Sequence, residues 1–374
     1  MPSTAAQVPL AITGIGMVSA LGTDAATSCA AARAGLSRAA PLPSLRVYSA
    51  ADWAQVGVIG HAVRPYAEGF EGLGKLVRLA FGALTDLLAR DAPQREDWAR
   101  TAVCVALPSG YLVAAQARAL APAQPAPVGM DPGAVIPRAL QLHGIEISPA
   151  NQLAVREDQA GFATAIGRAA QLLAGGAVDR CILGGVDACT DEAFLSAAHQ
   201  FGLVKTPEQA AGFQPGEAAA FLWVETLAGA RARGRPCLAR IDAWAAGADP
   251  VARDSGLPAL GHGLADCISR CLAALPDQGA GIGWIIDNLN GDAVRGNDWG
   301  YALARLVARF PPLGTAPVET PAAAFGEIGA ASGAVAACVA VCAFARGYAP
   351  GAPVLVWLAA DSGARGAFVI RPED

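Results

Sequence analysis

Gln152-Leu153-Ala154-Val155 reads as a short apolar strand. It leads through Arg156, Glu157, Asp158 and Gln159 into a segment from Gly161 to Leu173 whose only formal charge is Arg168. A strand, a sharp turn and a helix buried on most sides form a nucleophile elbow, and the residue at the turn faces the positive end of the helix dipole. A cysteine there would have its thiolate stabilised. The residue is instead Gln159, an amide that donates and accepts hydrogen bonds but cannot carry an acyl group as a thioester. Glu157 and Asp158 adjoin the turn. They suit acid–base work there, or ion pairs with a partner's arginines if the strand lies at an interface.

The other reactive side chains are dispersed. His61, His143, His199 and His262 are the four histidines, and each is expected at the surface or at a helix end. The nine cysteines lie mostly in apolar runs, with no zinc-finger spacing. Cys267 with Cys271, and Cys338 with Cys342, sit four apart, which places each pair on one helical face. They read as small buried hydrophobes in a reducing compartment. Cys189 is a conceivable substitute nucleophile, but no histidine neighbours it to take its proton. Gly14 and Gly16 imitate the start of a dinucleotide fingerprint, but the third glycine is missing and the string reads as a tight turn. No cofactor or metal is indicated.

The elements that must hold the elbow alternate along the chain. Apolar, strand-like runs occur at Leu10–Thr13, Thr101–Ala106, Gln152–Val155, Arg180–Leu183, Phe221–Val224, Gly283–Asp287, Val354–Leu358 and Ala367–Ile370. Ala- and Leu-rich helical segments include Gly161–Leu173, Leu260–Leu275, Trp299–Arg309 and Gly333–Arg346. Strands without a polar face that alternate with helices imply an α/β sheet covered on both sides. Prolines at Pro122–Pro127 and at Pro311 and Pro312 mark surface loops. With 374 residues, 53% apolar and 16% charged, the chain can bury a large core and is not disordered. Its net charge of −5 argues against a nucleic-acid surface. The start of the chain does not read as a signal peptide and no apolar run reaches membrane-spanning length, so a soluble, cytoplasmic protein is expected.

Several strings, taken in order, resemble the β-ketoacyl synthase family over nearly the whole chain. Ile12-Thr13-Gly14-Ile15-Gly16-Met17-Val18-Ser19-Ala20-Leu21-Gly22 resembles the family's opening strand and turn. Gly175-Gly176-Ala177-Val178-Asp179 and Gly184-Gly185-Val186-Asp187 resemble the end of its central helix and the following strand. Gly212-Phe213-Gln214-Pro215-Gly216-Glu217-Ala218-Ala219 resembles the close of its first half. The resemblance implies a thiolase-type five-layered αβαβα sandwich of two pseudo-repeated halves, residues 1–235 and 236–374. It also implies an obligate dimer paired through the strand before the elbow, with Gln152, Leu153, Ala154, Val155, Arg156, Glu157 and Asp158 at the interface.

The departures from the family pattern fall on the chemistry. The family's nucleophilic cysteine aligns with Gln159. Its first histidine aligns with Asn290 in Asn288-Leu289-Asn290-Gly291-Asp292, and the aspartate that follows is present as Asp298. Its second histidine aligns with Glu327 in Phe325-Gly326-Glu327-Ile328-Gly329, and its supporting lysine with Ala322. The C-terminal glycine-rich loop has become Ala359-Ala360-Asp361-Ser362-Gly363-Ala364-Arg365, and the segment from Val204 to Gly212 is shortened. Condensation needs a thiolate to carry the chain and donors to hold an enolate. An amide and a carboxylate at those places imply a catalytically silent chain.

Asp158-Gln159-Ala160-Gly161 resembles the chain-length-factor subunits of type II polyketide synthases. The resemblance implies no cofactor, and as partners a ketosynthase with an intact Cys-His-His set and an acyl carrier protein, with Arg64 and Arg118 as docking candidates. Tyr111, Leu112, Gln116 and Leu120 match the segment that gates the acyl tunnel. Each two-carbon unit needs roughly 2.5 Å of tunnel on ordinary covalent geometry, so one bulky side chain can stop growth. The short chain and the extent of active-site loss are more similar to polyene-type systems, aryl polyenes included, than to aromatic ones. The alternatives are a malonyl-carrier decarboxylase using Gln159, an atypical ketosynthase-fold acyltransferase, and a protein that only stabilises a partner.

Overall fold

The structure, a computed structural model, describes residues 7–91, 93, 95–121 and 131–373. The Pro122–Pro127 stretch lies outside the described residues. In the first half the strands are β1 (Leu10–Ser19), β2 (Ala40–Ser49), β3 (Ala54–Gly60), β4 (Thr101–Ala106), β5 (Gln152–Val155), β6 (Arg180–Ala188) and β7 (Glu217–Thr226). Its helices are α1 (Ala25–Arg33), α2 (Arg64–Ala67), α3 (Gly72–Arg90), α4 (Tyr111–Leu120), α5 (Val135–Leu142), α6 (Gly161–Ala174), α7 (Glu192–Gln200) and α8 (Leu227–Ala232). The second half carries β8 (Ala239–Ala248), α9 (His262–Ala273), β9 (Trp284–Ile286), α10 (Ala293–Leu306) and β10 (Val318–Glu319). It closes with α11 (Ala322–Phe325), α12 (Ser332–Ala345), β11 (Val354–Ala359) and β12 (Ala364–Arg371).

Hydrogen bonding links ten of these strands in the order β10-β9-β11-β12-β8-β1-β7-β6-β4-β5. Read outward from the centre, the two sides repeat one plan. β1 and β7, β7 and β6 are antiparallel, and β6, β4 and β5 are parallel. Likewise β8 and β12, β12 and β11 are antiparallel, and β11, β9 and β10 are parallel. Three residue pairs, Leu10 to Ile12 against Ala239 to Ile241, join the sides at β1 and β8. Pairing along so short a length lets the two five-stranded sections diverge and admit helices between them.

Those inner helices are α6 and α12, which pack with the facing strands of both sections in one core. α12 is apolar on every side and buried along nearly its whole length, as a helix enclosed by two sheets must be. On the outer side of the first section, α3 lays Leu76, Leu79, Ala83 and Leu87 against β7 residues Phe221 and Trp223. On the outer side of the second, α9 and α10 pack with β11 and β12, and Trp299 stacks on Trp357 at 4.8 Å. The result is the thiolase-type αβαβα layering. Gly14 and Gly16 lie inside β1 rather than in a turn: a Cβ on Gly16 would sit 2.3 Å from the Leu87 backbone nitrogen, so the glycine admits close approach of α3.

β2 and β3 form a separate hairpin. β5 is an outer strand, hydrogen-bonded to β4 on one side. No helix among the described residues is long and apolar enough to cross a membrane.

Candidate functional site

β5 ends at Val155, a single turn of tight helix spans Asp158–Ala160, and α6 begins at Gly161. Asp158 takes a positive φ of 49°. Ser109 holds it there, its backbone N–H and its hydroxyl donating to the two carboxylate oxygens at 2.6 and 2.5 Å. Burial pushes the Asp158 carboxyl above its ordinary value despite these donors, and Asp361 and Glu327 add to the effect.

The turn delivers Gln159 into the interior, 5% exposed. Its Nε2 donates to Glu327 Oε1 at 3.1 Å, and the Gly329 N–H donates to the same oxygen at 2.9 Å. Glu327 Oε2 accepts from Asn290 Nδ2 and, at 2.8 Å, from Arg295 Nη1. One carboxylate thus gathers four donors from three separate stretches of chain. Arg295 is buried on the first turn of α10 and also donates to the Asn288 carbonyl at 3.2 Å. Burial works against its charge, but Glu327, Asp361 and Asp292 outweigh it and hold its pKa above the ordinary value. The Gln159 Oε1 atom is buried without a partner among the described residues.

Further charged side chains surround this group. Arg253 contacts Asp361 at 2.8 Å and Asp292, which also caps α10. Arg365 and Asp298 form a buried pair at 3.0 Å, and Asp298 accepts from the Gly261 N–H at 2.9 Å. Asp187, at the end of β6, accepts the Ala330 N–H at 2.8 Å. Burial pushes its carboxyl up to about 8, with the Asp158 and Glu327 charges adding to the effect and two backbone donors opposing it. Cys189 is buried in the same neighbourhood, and desolvation with the nearby carboxylates pushes its thiol well above the ordinary value, which makes it inert as a nucleophile.

Gln159, Asn290 and Glu327 therefore meet in space, although 131 and 37 residues respectively separate the first and last pairs. Ala322 opens the one-turn α11, half-buried, and takes no part in the hydrogen-bonded group. The Val204–Gly212 segment packs against the Asn290 loop, with the Gly212 N–H on the Gly291 carbonyl at 3.0 Å. The expectation of a surface position fails for His61. It is 1% exposed, bridges to Pro215 through its backbone, and meets Gln214 Oε1 through its ring at 3.2 Å. His143 caps α5, while His199 and His262 lie exposed at helix ends.

A cavity of about 450 Å³ adjoins the elbow. Gln159, Asp158 and Asp187 line it together with apolar Leu73, Leu76, Leu112 and Phe194. Tyr111 lines it too, its hydroxyl bonded to Asp254, and burial with that carboxylate pushes the phenol up to about 12. Gln116 turns instead to Ser196 and Gln200 of α7, and Leu120 is 70% exposed. Neither lines the cavity. A smaller space of about 90 Å³ lies among Arg253, Arg295, Asp298 and Arg365, with Asp361 lining both.

Of the strand residues, Leu153, Ala154 and Val155 pair with β4, and Ala154 is exposed. Gln152 Nε2 donates to the Ile147 carbonyl at 2.7 Å. Arg156 pairs with Asp131, and Glu157 accepts the Thr164 hydroxyl at 2.6 Å. Asp158 faces Ser109, inside the chain. Arg64 is exposed, whereas Arg118 is engaged by Asp254 at 2.8 Å. Among the described residues no cluster of His, Cys, Asp or Glu is arranged to hold a metal ion.

Arg295 and Arg253 are the site residues that sequence reasoning did not find, and Asp361 was noted only as part of an altered loop. A carboxylate destined for the interior demands a cation, but nothing in the local sequence says which arginine supplies it.

No family model matches the sequence, and no curated protein matches it. Solved structures do match in fold. One is a chain of AntDE:AntF, a type II polyketide synthase acyl-carrier protein in complex with its ketosynthase bound to the hexaketide. It superposes with a TM-score of 0.75 at 17% identity, covering 98% of this chain and 100% of that one. Another is the oxazolomycin ketosynthase domain OzmH KS7 of Streptomyces albus JA3453, with a TM-score of 0.74 at 14% identity, covering 98% and 74% respectively. The chain has the ketosynthase-like fold.

Proposed function

We propose that this chain is the non-catalytic, chain-length-setting subunit of a ketosynthase heterodimer in type II polyketide biosynthesis, of the polyene or aryl polyene kind. It would pair with a ketosynthase that keeps its Cys-His-His set and serve chains delivered by an acyl carrier protein. The observation that carries this reading is the Glu327 carboxylate, saturated by Gln159, Asn290, Gly329 and Arg295. Thioester chemistry at this place would need a thiolate to accept the acyl group and neutral donors to stabilise an enolate. A buried carboxylate opposes developing negative charge, and its donors are already committed.

The fold likeness to a ketosynthase bound to a hexaketide supports the partner class. A side of β5 unpaired among the described residues supports pairing through that strand, since an exposed strand edge offers backbone groups to another chain. The apolar wall of the 450 Å³ cavity, with Tyr111 on it, supports a steric role toward a growing chain.

The test is reconstitution with the ketosynthase and a labelled malonyl-loaded carrier protein. Label is expected on the ketosynthase and never on this chain, and Tyr111→Ala is expected to lengthen the products. Covalent label on this chain overturns the proposal. So does carbon dioxide release by the isolated chain that Gln159→Ala abolishes, an outcome that establishes a decarboxylase. An unchanged product length with Tyr111→Ala removes Tyr111 as the gate.

A further inference from the structure

The three-residue turn Arg253–Ser255, between β8 and α9, touches the elbow site on one side and the cavity wall on the other. Its inner tie is Arg253. The Arg253 backbone N–H donates to the Asp361 carbonyl at 2.8 Å, and its guanidinium reaches the Asp361 and Asp292 carboxylates. Ser255 closes the turn, its hydroxyl donating to the Ala252 carbonyl at 2.7 Å and accepting the Leu257 N–H at 3.2 Å. Asp254 lies between them and meets α4. Its Oδ2 accepts from Arg118 Nη2 at 2.8 Å and its Oδ1 accepts the Tyr111 hydroxyl. The Asp254 backbone N–H donates back to that hydroxyl at 3.2 Å.

Arg253, Ser255 and Arg118 fix Asp254 without help from Tyr111, so the carboxylate is the anchor and the ring is what it places. Tyr111 is the first residue of α4, after Gly110 in the left-handed region at a φ of +75°. Its ring lines the 450 Å³ cavity beside Leu112, Val113 and Phe194, whereas Asp254 does not line it. A tyrosine side chain has several staggered wells open to it, and a hydroxyl held twice admits only the well that keeps it in reach. A hydroxyl bonded to a carboxylate is among the stronger hydrogen bonds. We propose that Asp254 is a positioning residue for chain length, pinning the Tyr111 ring against the cavity and so setting where a growing chain stops. The proposal rests on the chain-length reading above and adds to it a residue outside the cavity lining. Released from Asp254, the ring keeps its bulk but swings among its wells, so the stop softens instead of vanishing. Products then spread to greater lengths with the original length still present, unlike the loss of bulk in Tyr111→Ala, which moves them as a set.

The test uses the full chain reconstituted with the ketosynthase and malonyl-loaded carrier protein, with product lengths and total turnover both read by mass spectrometry. Asp254→Ala is expected to raise the over-length fraction about tenfold, the ratio that a hydrogen bond to a charged group sets between two conformers. Tyr111→Phe removes the same bond from the other side and should give the same spread, whether or not the Asp254 variant folds. Asp254→Ala in the Tyr111→Phe background should add nothing. Asp254→Asn keeps an acceptor oxygen and should hold most products at the original length. A merely structural role would lower total turnover in Asp254→Ala with the length distribution unchanged, and that result overturns the proposal. A further shift from Asp254→Ala in the Tyr111→Phe background overturns it too. An unchanged distribution with Asp254→Ala where Tyr111→Ala lengthens products removes Asp254 and leaves the gate standing. If Tyr111→Ala itself changes nothing, the gate fails and the positioning role fails with it.

Discussion

Gln159 and Glu327, 168 residues apart in the chain, are joined by a 3.1 Å hydrogen bond inside the protein. Gln159 comes from the turn after β5 and Glu327 from the turn before α12. The bond therefore connects the two inner helices at their N-terminal ends, and the Glu327–Arg295 pair extends the connection to α10 on the outer layer.

That ion pair is buried on both sides, so its loss should be asymmetric. Glu327→Leu leaves the buried Arg295 charged with Asp361, at 3.8 Å, as its remaining counterion and should cost about 3–5 kcal/mol. Adding Arg295→Met should recover only part of that loss, because Gln159, Asn290 and Gly329 still lose their acceptor. Urea denaturation of the two single variants and the double variant measures the coupling. Simple additivity of the single effects would contradict a direct pair.

Restoring sulfur at the elbow should not restore chemistry. In Gln159→Cys the new thiol would be buried against Glu327 Oε1, and both burial and the adjacent carboxylate disfavour a thiolate. The variant is expected to take no acyl label from an acyl-loaded carrier protein and to react with iodoacetamide more slowly than a free cysteine. Intact mass after incubation checks both.

Asp187 should make stability depend on pH in the direction opposite to a salt-bridged carboxylate. Its folded pKa of about 8 lies above the ordinary 3.8. The native state then binds more protons than the unfolded state between those values. Its contribution is fully present below pH 4 or so, declines as pH rises, and is gone above about 8. Asp187→Asn can still accept the Ala330 N–H and should remove that slope. Thermal unfolding of wild type and variant across pH 4–9 checks it, and parallel curves would exclude the assignment.

Gly329 has a φ of +50°, and a Cβ placed on it would fall 2.0 Å from Asp187 Oδ2. Gly329→Ala should destabilise the chain by roughly 3 kcal/mol or more through backbone strain and overlap together. A denaturation midpoint within error of wild type would show that the turn relaxes at little cost.

The strands β4 and β11 were legible because their residues are apolar and buried on both faces, the mark of strands covered by helices on both sides. β8 was not, since Ala239–Ala248 is alanine-rich and lacks β-branched periodicity; only its neighbours β1 and β12 make it a strand. α10 was read as starting at Trp299, which left Arg295 outside any element and hid it as the counterion of Glu327. The three positions Gln159, Asn290 and Glu327 were found by resemblance. Their mutual hydrogen bonds were not, because contacts over such separations depend on how the two sheet sections close on the inner helices. His61 failed for a similar reason: its burial is imposed by Pro215 and Gln214, distant in the chain.

The saturated carboxylate at 327 also bears on mutational history. Replacing any one of its donors with a residue suited to thioester chemistry orphans a charge or an amide in the interior, so single steps in that direction pass through less stable proteins. A working nucleophile would require coordinated changes at several sites at once, a strongly epistatic barrier.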